Sequence, residues 1–235
     1  MCLAIFVLTY FTSYFVVKAH YACTLAHVYR HVDTGLLRSY MPFKEDEEMK
    51  ISVREMKEND IQQIVEYFTN ATPEFLIGMG ADPNKLPGKE KWMAILEREF
   101  RKANKEKDFY YIIWQIGEKS VGHSNINKIK FAKEAYMHLH LWRKENRQKG
   151  IGLQLIKETL PFYFRNFKLQ ELICEPYSLN PAANKTLVKI GFEFIKEYET
   201  TPGWINLHQK VRRYVMTIDR FEEKLKHRTT KNKYH

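Results

Sequence analysis

A regular alternation of apolar and polar residues begins at Met49 and continues through most of the chain. Ile51 and Val53 alternate with polar neighbours, the period-two signature of a short half-buried strand that Met56 extends at most out of step. Asn59-Asp60 reads as a helix start, followed by Ile61, Ile64, Val65 and Phe68 at the spacing of one helical face. A loop with Pro73, Gly78, Gly80, Pro83, Pro87 and Gly88 leads to a second helix with the stripe Trp92, Ile95, Leu96 and Phe100. The run 108–116 is apolar enough for a central strand, and Gly117-Glu118-Lys119 turns it into another over 120–130. Further on, the pattern predicts a strand over 135–142 and a helix over 150–164 that Pro161 must kink or end. A strand over 169–175, a helix over 181–190 and strands over 192–198 and 212–218 complete it. Strands and helices mixed in this order describe an α/β (α+β) domain.

The first fifty residues differ from the rest. Residues 2–17 carry no charge, but sixteen helical residues would reach only about 24 Å, short of the roughly 30 Å hydrocarbon core. As a signal peptide the segment lacks a basic leading region, and Lys18 lies on the wrong side of it. Residues 1–48 hold four basic and five acidic residues; subtracting that −1 from the total of +10 leaves +11 on residues 49–235. Three readings of the leader stay open: an upstream read-through, a weak membrane-associating segment, or a signal sequence. The expected organisation is leader 1–48, one domain over 49–220, and a basic tail 221–235 that frays as a solvated helix rather than binding nucleic acid.

Composition narrows the chemistry. A 44% hydrophobic content permits a sizeable core and excludes wholesale disorder. The basic excess favours an anionic partner. Three cysteines (Cys2, Cys23, Cys174) with no CxxC argue against a disulfide framework or a structural zinc site, and for a reducing compartment. The stretch from Gly117 to Ser124 has phosphate-loop glycine spacing, but His123 replaces the lysine and strands flank it, so a hairpin turn is the better reading. Gly150 and Gly152 are followed by Leu155 where a dinucleotide fingerprint needs glycine. No HExxH and no GxSxG occurs.

Two elements remain. Arg147-Gln148-Lys149-Gly150-Ile151-Gly152 lies between a predicted strand and a predicted helix. Its glycines allow close backbone approach, and the first helical turn adds orphan N–H groups, so together they suit a pyrophosphate, with Arg147 and Lys149 adding full charge. The second runs from Asn180 to Phe192: Asn180 caps a helix, Pro181 takes its first position, and Gly191 stops it. Arg147, Gly150 and Gly152, followed by Asn180, Ala183, Gly191 and Phe192 in this order, resemble the two motifs of the GNAT superfamily of N-acetyltransferases. Its ribosomal-protein-acetylating branch is the nearest in character, and the resemblance covers roughly 51–220.

The resemblance implies a GNAT fold: a mixed, strongly twisted sheet of six to seven strands splayed after the fourth, with helices on both faces. It implies acetyl-CoA as cosubstrate and an amine as acceptor, with no metal. Pantetheine would lie against the backbone of Leu139, Leu141 and Trp142, and pyrophosphate on Arg147, Gln148, Lys149, Gly150, Ile151, Gly152 and Leu153. Asn180 and Asn184 would hold the cofactor from the other side, Asn180 at the reacting end. Where many relatives carry a tyrosine acid this chain has Leu187, so Tyr177 or Tyr198 serves instead, or the thiolate leaves unassisted. A non-catalytic acyl-CoA-binding module is the alternative that Leu187 supports.

Tyr136, His138, His140 and Trp142 share one strand face by alternation. Histidine, ordinarily titrating near ~6.5, suits a general base, so His138, then His140, are the candidates, with Glu175 or water as the fallback. A metal reading of His-Leu-His lacks nearby further ligands, and two structural histidines are the plain alternative. The expected location is the cytoplasm, or a membrane surface if residues 2–17 act as an anchor; no nucleic-acid partner is expected.

Overall fold

The computed structural model describes residues 50–142 and 150–231. The leader 1–48 and residues 232–235 lie outside the described residues. Seven strands form one sheet: β1 (Ile51–Glu55), β2 (Tyr110–Ile116), β3 (Lys119–Lys130), β4 (Glu134–Leu141), β5 (Glu171–Cys174), β6 (Glu193–Thr200) and β7 (Gln209–Thr217), in the spatial order β1-β2-β3-β4-β5-β7-β6. Six helices accompany it: α1 (Ile61–Thr69), α2 (Pro73–Gly78), α3 (Lys89–Arg101), α4 (Ile151–Phe167), α5 (Pro181–Ile190) and α6 (Ile218–Lys231).

β2 shows why the sheet is covered on both sides. Tyr110, Ile112 and Trp114 enter one apolar core, while Tyr111 and Ile113 enter a second on the opposite face. The first core gathers α4, α5 and Phe221 of α6 around Ile126, Met137, Leu172 and Tyr214. The second is built by Ile61, Ile64, Val65 and Phe68 of α1 with Trp92 and Leu96 of α3. A strand buried on both faces reads as a continuous apolar run, as 110–114 does.

β1 to β4 pair antiparallel in succession, and β4 then pairs with β5 in parallel, the chain crossing through α4. The parallel pairing runs from Glu134–Glu171 only to Met137–Cys174, where β5 ends while β4 continues to Leu141. The sheet therefore opens beyond Met137.

Several elements differ from the sequence expectation. Pro161 neither ends nor breaks α4, which runs on to Phe167 because Tyr163, Phe164 and Phe167 bury beyond it and hold the last turns down. The loop after α1 contains a short helix, α2: Thr72 accepts from the Phe75 N–H and Pro73 occupies the first turn. In α3 the buried residue of the last turn is Glu99, at 3% exposure, while Phe100 is exposed. Glu99 accepts the N–H groups of Asp108 (2.8 Å) and Phe109 (3.3 Å), which enter β2 with no ladder partner, and Lys102 neutralises it. Asp60 likewise does not cap α1; its carboxylate takes both guanidinium nitrogens of Arg54 at 2.6 and 2.8 Å and the Lys57 N–H.

α6 begins directly after β7. Phe221 is 5% exposed and stacks on Phe164 with ring centroids 4.5 Å apart, so the domain continues past residue 220. Phe221→Ala is expected to lower stability by about 3 kcal/mol, the usual cost of deleting a buried aromatic ring. The check is a lower urea midpoint at unchanged denaturant slope; an unchanged midpoint would return α6 to the status of a free tail.

Candidate functional site

The opening between β4 and β5 has two walls. The carbonyl of Met137 accepts the Cys174 thiol at 3.2 Å, the last bond across the parallel pair. One residue on, the carbonyl of His138 accepts Ser124 Oγ at 2.9 Å, and Tyr163 of α4 donates to Ser124 at 2.8 Å. The Trp142 N–H is bonded to Val121 of β3 at 2.9 Å. Peptide groups alternate sides along an antiparallel ladder, so His138 and His140 turn theirs toward β3 and Leu139 turns its own toward the gap. Trp142 thus differs from the expectation: its amide belongs to β3, and its indole N–H donates to His123 Nδ1 at 2.8 Å.

The start of α4 faces the same opening. Gly150 has φ +73°, a left-handed conformation that favours glycine, and space for a Cβ is open within 4 Å. At Gly152 a Cβ would meet only Leu141 Cδ1, at 3.7 Å. Ile151 buries its side chain in the core and offers only its N–H, as does Gly152 in the first turn. The Leu153 N–H is taken by the Gly150 carbonyl at 3.1 Å. Two glycines and two first-turn amides at a strand end fit an anionic, phosphate-bearing group. Arg147, Gln148 and Lys149 lie outside the described residues.

α5 supplies the third edge. Asn180 Oδ1 accepts the Ala183 N–H, the expected cap, and Asn180 stands exposed at the helix start. Asn184 is buried; its Nδ2 holds the carbonyls of Tyr177, Ser178 and Asn180, so it fixes the loop that presents Asn180 rather than reaching out itself. Leu187 is 0% exposed and belongs to the core.

The face opposite α4 is polar. His123 and His140 stack with ring centroids 4.7 Å apart, enclosed by Tyr67, Phe68 and Trp142. Burial pushes all three histidines down: His138 to about 4, helped by Lys128, and His140 to about 3, helped by His138. His123 lies well below the ordinary value through burial and its two imidazole neighbours. The expectation of a base poised near 6.5 is therefore corrected: burial disfavours the charged rings, with Tyr67 and Phe68 of α1 packed on His123 and His140 and Lys128 opposing charge on His138. His138 Nε2 is buried and has no hydrogen-bond partner among the described residues. Among those residues, no group of three or more His, Cys, Asp or Glu is placed to hold a metal.

Sequence reasoning missed one network. Glu175, just past β5, accepts from Tyr198 and from Arg213 Nε (2.7 Å), and Arg213 also donates to Tyr198 (2.7 Å) and Tyr136 (3.1 Å). Burial and the bond to Glu175 raise Tyr198 to about 12, so its proton is held by the carboxylate rather than poised for release. Glu175 and Tyr198 were each legible as single candidates; Arg213 was hidden among the strand's other basic residues.

Two outcomes follow from the geometry. Gly152→Val should weaken coenzyme A binding more than tenfold in calorimetry while costing stability only about 1 kcal/mol, since its backbone is unstrained and its surroundings open. Gly150→Val is the poorer test because positive φ strains any side chain there. For the histidines, a depressed folded-state pKa means the unfolded chain binds more protons below about 6.5. Stability is thus lost as pH falls from that value toward about 4, by up to ~1.4 kcal/mol per pH unit for each ring. His140→Phe should shrink the fall in urea midpoint between pH 7 and pH 4.5; an equal fall in both proteins would remove His140 from the account.

Comparison with known proteins agrees with this architecture. Residues 50–193 match the model of the acetyltransferase (GNAT) domain. No curated protein matches the chain. Among solved structures, the chain is similar to RimL, the ribosomal L7/L12 alpha-N-protein acetyltransferase in complex with coenzyme A, at 15% identity and TM-score 0.59, covering 72% of this chain and 95% of that one. It is also similar to the spermidine N-acetyltransferase of Vibrio cholerae in complex with CoA and spermine (14%, TM-score 0.59, 73% and 97% covered). A third is the ribosomal-protein-S5-alanine acetyltransferase of Vibrio fischeri (19%, TM-score 0.58, 73% and 94% covered). At these identities the likeness is one of fold. With the family model spanning more than half of its length and the sheet opening where β5 ends, the chain belongs to the GNAT acetyltransferases and is an N-acetyltransferase.

Proposed function

We propose that the protein transfers an acetyl group from acetyl-CoA to a primary amine by direct attack. The observation that carries this reading is the opening of β4 from β5 beside the glycine-lined start of α4. Coenzyme A in the RimL complex and coenzyme A with spermine in the spermidine acetyltransferase support the same pairing of ligands. In this reading Leu139 holds the pantetheine arm, and Ile151 and Gly152, with Arg147, Gln148 and Lys149, take the pyrophosphate. Exposed Asn180 holds the cofactor's reacting end.

Acetyl-CoA, when bound, supplies the thioester carbonyl. The acceptor loses its ammonium proton to His138 Nε2, which is neutral, buried and unpartnered. The amine nitrogen then bonds to the carbonyl carbon, the carbon–sulfur bond breaks, the nitrogen gives its second proton to solvent to leave the neutral amide, and the thiolate takes a proton from solvent. Leu187 lies in the core and the Tyr198 hydroxyl is bonded to Glu175, which leaves Tyr177 as the tyrosine alternative to solvent for that last proton. A proton on His138 is weakly held and passes readily to water, so the ring works as a relay more than a reservoir.

Release of free thiol, followed over a panel of amines with a parallel acetyl-CoA titration, tests the reading. Binding without turnover across protein N-termini, polyamines, aminoglycosides and amino sugars would favour the non-catalytic acyl-CoA-binding alternative. His138→Ala should lower kcat by a factor on the order of 10² or more with acetyl-CoA affinity unchanged. The wild-type kcat/KM profile should show an acid limb near pH 4, absent from the variant; equal rates and profiles would withdraw His138.

A further inference from the structure

Ser124 of β3 and Tyr163 of α4 form a polar pair that the ladder around them does not require. Both side chains are fully buried, and Ser124 lies beside Gly122, Ile126 and Leu139 on the apolar α4 face of the sheet. A hydroxyl has one proton to give: Ser124 gives its own to the His138 carbonyl at 2.9 Å, so Tyr163 is the donor in their bond at 2.8 Å. That carbonyl already has a partner. The Trp142–Val121 bond sets the parity of the β3–β4 pairs, which makes Asn125 and His138 a hydrogen-bonded pair. Ser124 is therefore a second donor on a satisfied oxygen.

The other end of the same peptide explains the extra donor. The His138 carbonyl and the Leu139 N–H belong to one planar trans peptide and point in opposite directions. With the carbonyl held toward β3, the Leu139 N–H is turned to the side that β5 has left. It is the first such amide beyond the Met137–Cys174 rung, at the inner end of the opening, while Leu141 lies beside Gly152 at the phosphate end. A chain of donors runs toward it, from Tyr163 to Ser124 and from Ser124 to the carbonyl. Hydrogen bonds in such a chain polarise one another, so a bond accepted at the carbonyl makes the N–H across the peptide a stronger donor. The pair also fixes the peptide plane where no strand stands opposite to fix it. Burial pushes the Tyr163 hydroxyl well above its ordinary value, so it stays a donor at any working pH.

We infer that Ser124 and Tyr163 are positioning residues for acetyl transfer, aiming and strengthening the Leu139 N–H toward the thioester carbonyl oxygen. This rests on the acetyl-transfer reading above and deepens it. Negative charge grows on that oxygen as the amine nitrogen bonds to the carbonyl carbon, and a preset donor there is worth most in that state. The Leu139 carbonyl, turned to the same side, stays available to the pantetheine arm. Neither hydroxyl touches the reactants; both act through the 138–139 peptide.

The test compares the full chain with its Ser124→Ala/Tyr163→Phe double variant, which removes both hydroxyls and strands neither. Without ligand, the Leu139 amide nitrogen and His138 carbonyl carbon resonances of the variant should move upfield. In isotope-edited infrared spectra of bound acetyl-CoA without acceptor, the thioester carbonyl band should lie below that of the free molecule in the wild type. In the double variant it should return toward the free value. Turnover should fall about tenfold in kcat, with calorimetric acetyl-CoA affinity within about twofold of wild type. Tyr163→Phe keeps the Ser124 bond and should lose less. A folded double variant with wild-type kcat and band would overturn the inference while acetyl transfer stands, as would weakened acetyl-CoA binding with an unmoved band, or a wild-type band no lower than the free one. If acetyl-CoA binds but no amine turns over, the band alone decides. A wild type that does not bind acetyl-CoA removes the acetyl-transfer reading and this inference with it. Urea midpoints establish folding; if the double variant does not fold, Tyr163→Phe takes the decision, a band moved toward the free value supporting the inference and an unmoved band overturning it.

Discussion

The parallel pairing of β4 with β5 stops at Met137 and Cys174, and every part of the site is arranged around that stop. A strand that loses its neighbour halfway must satisfy its remaining backbone groups elsewhere, because an unpaired buried N–H or carbonyl costs about as much as a lost hydrogen bond. Cys174 closes the last rung on Met137, while Ser124, braced by Tyr163, bonds the His138 carbonyl on the β3 side and keeps the continuing strand in place. Leu139 is left turned toward the gap, with the α4 amides and Asn180 at its borders. Burial raises the Cys174 thiol to about 12, so its sulfur serves there as a donor and packing group rather than as a nucleophile.

The two faces of the sheet have divided labour. On the α4 side, packing is almost entirely apolar, with Trp114 bonded to Thr159 as a satisfied internal pair at 2.9 Å. On the other side the same strands present His123, Asn125, Asn127, Tyr136, His138 and His140, a polar strip set partly beneath an aromatic lid. Such a strip is costly in a pure core, where each unpartnered polar atom carries its desolvation penalty. Depressed histidine basicity follows from the same enclosure: burial disfavours the charged rings, and Lys128 adds to this at His138.

Much of this was legible in the residues. The capped helix Asn180–Gly191, the Gly150 and Gly152 pair, the hairpin at Gly117 and the double-faced run of β2 all express local rules: cap chemistry, positive φ, turn residues and strand periodicity. The α2 helix was equally local, since Thr72-Pro73 is a helix start, but the surrounding glycines and prolines masked it. Pro161 and Phe100 misled for a different reason. A local penalty at Pro161 is outweighed by the burial of three aromatic side chains beyond it, and Phe100 yields its place to Glu99 because two amides of the incoming strand need an acceptor.

By itself the sequence determined the order of elements, the caps of several helices, the glycine pair that opens the helix at 150–152 and the strand face on which the histidines lie. These depend on neighbours within a few positions, where spacing and side-chain type are sufficient. Only the tertiary structure decided that β5 is too short to accompany β4, that three histidines from two strands sit together with His123 fully buried, and that Arg213 joins Glu175, Tyr198 and Tyr136. It likewise decided that Glu134 and Glu171 stand side by side on neighbouring strands. Each of these pairs residues far apart in the chain, and their energies come from burial and Coulomb interactions set by distance in space, which no local pattern encodes.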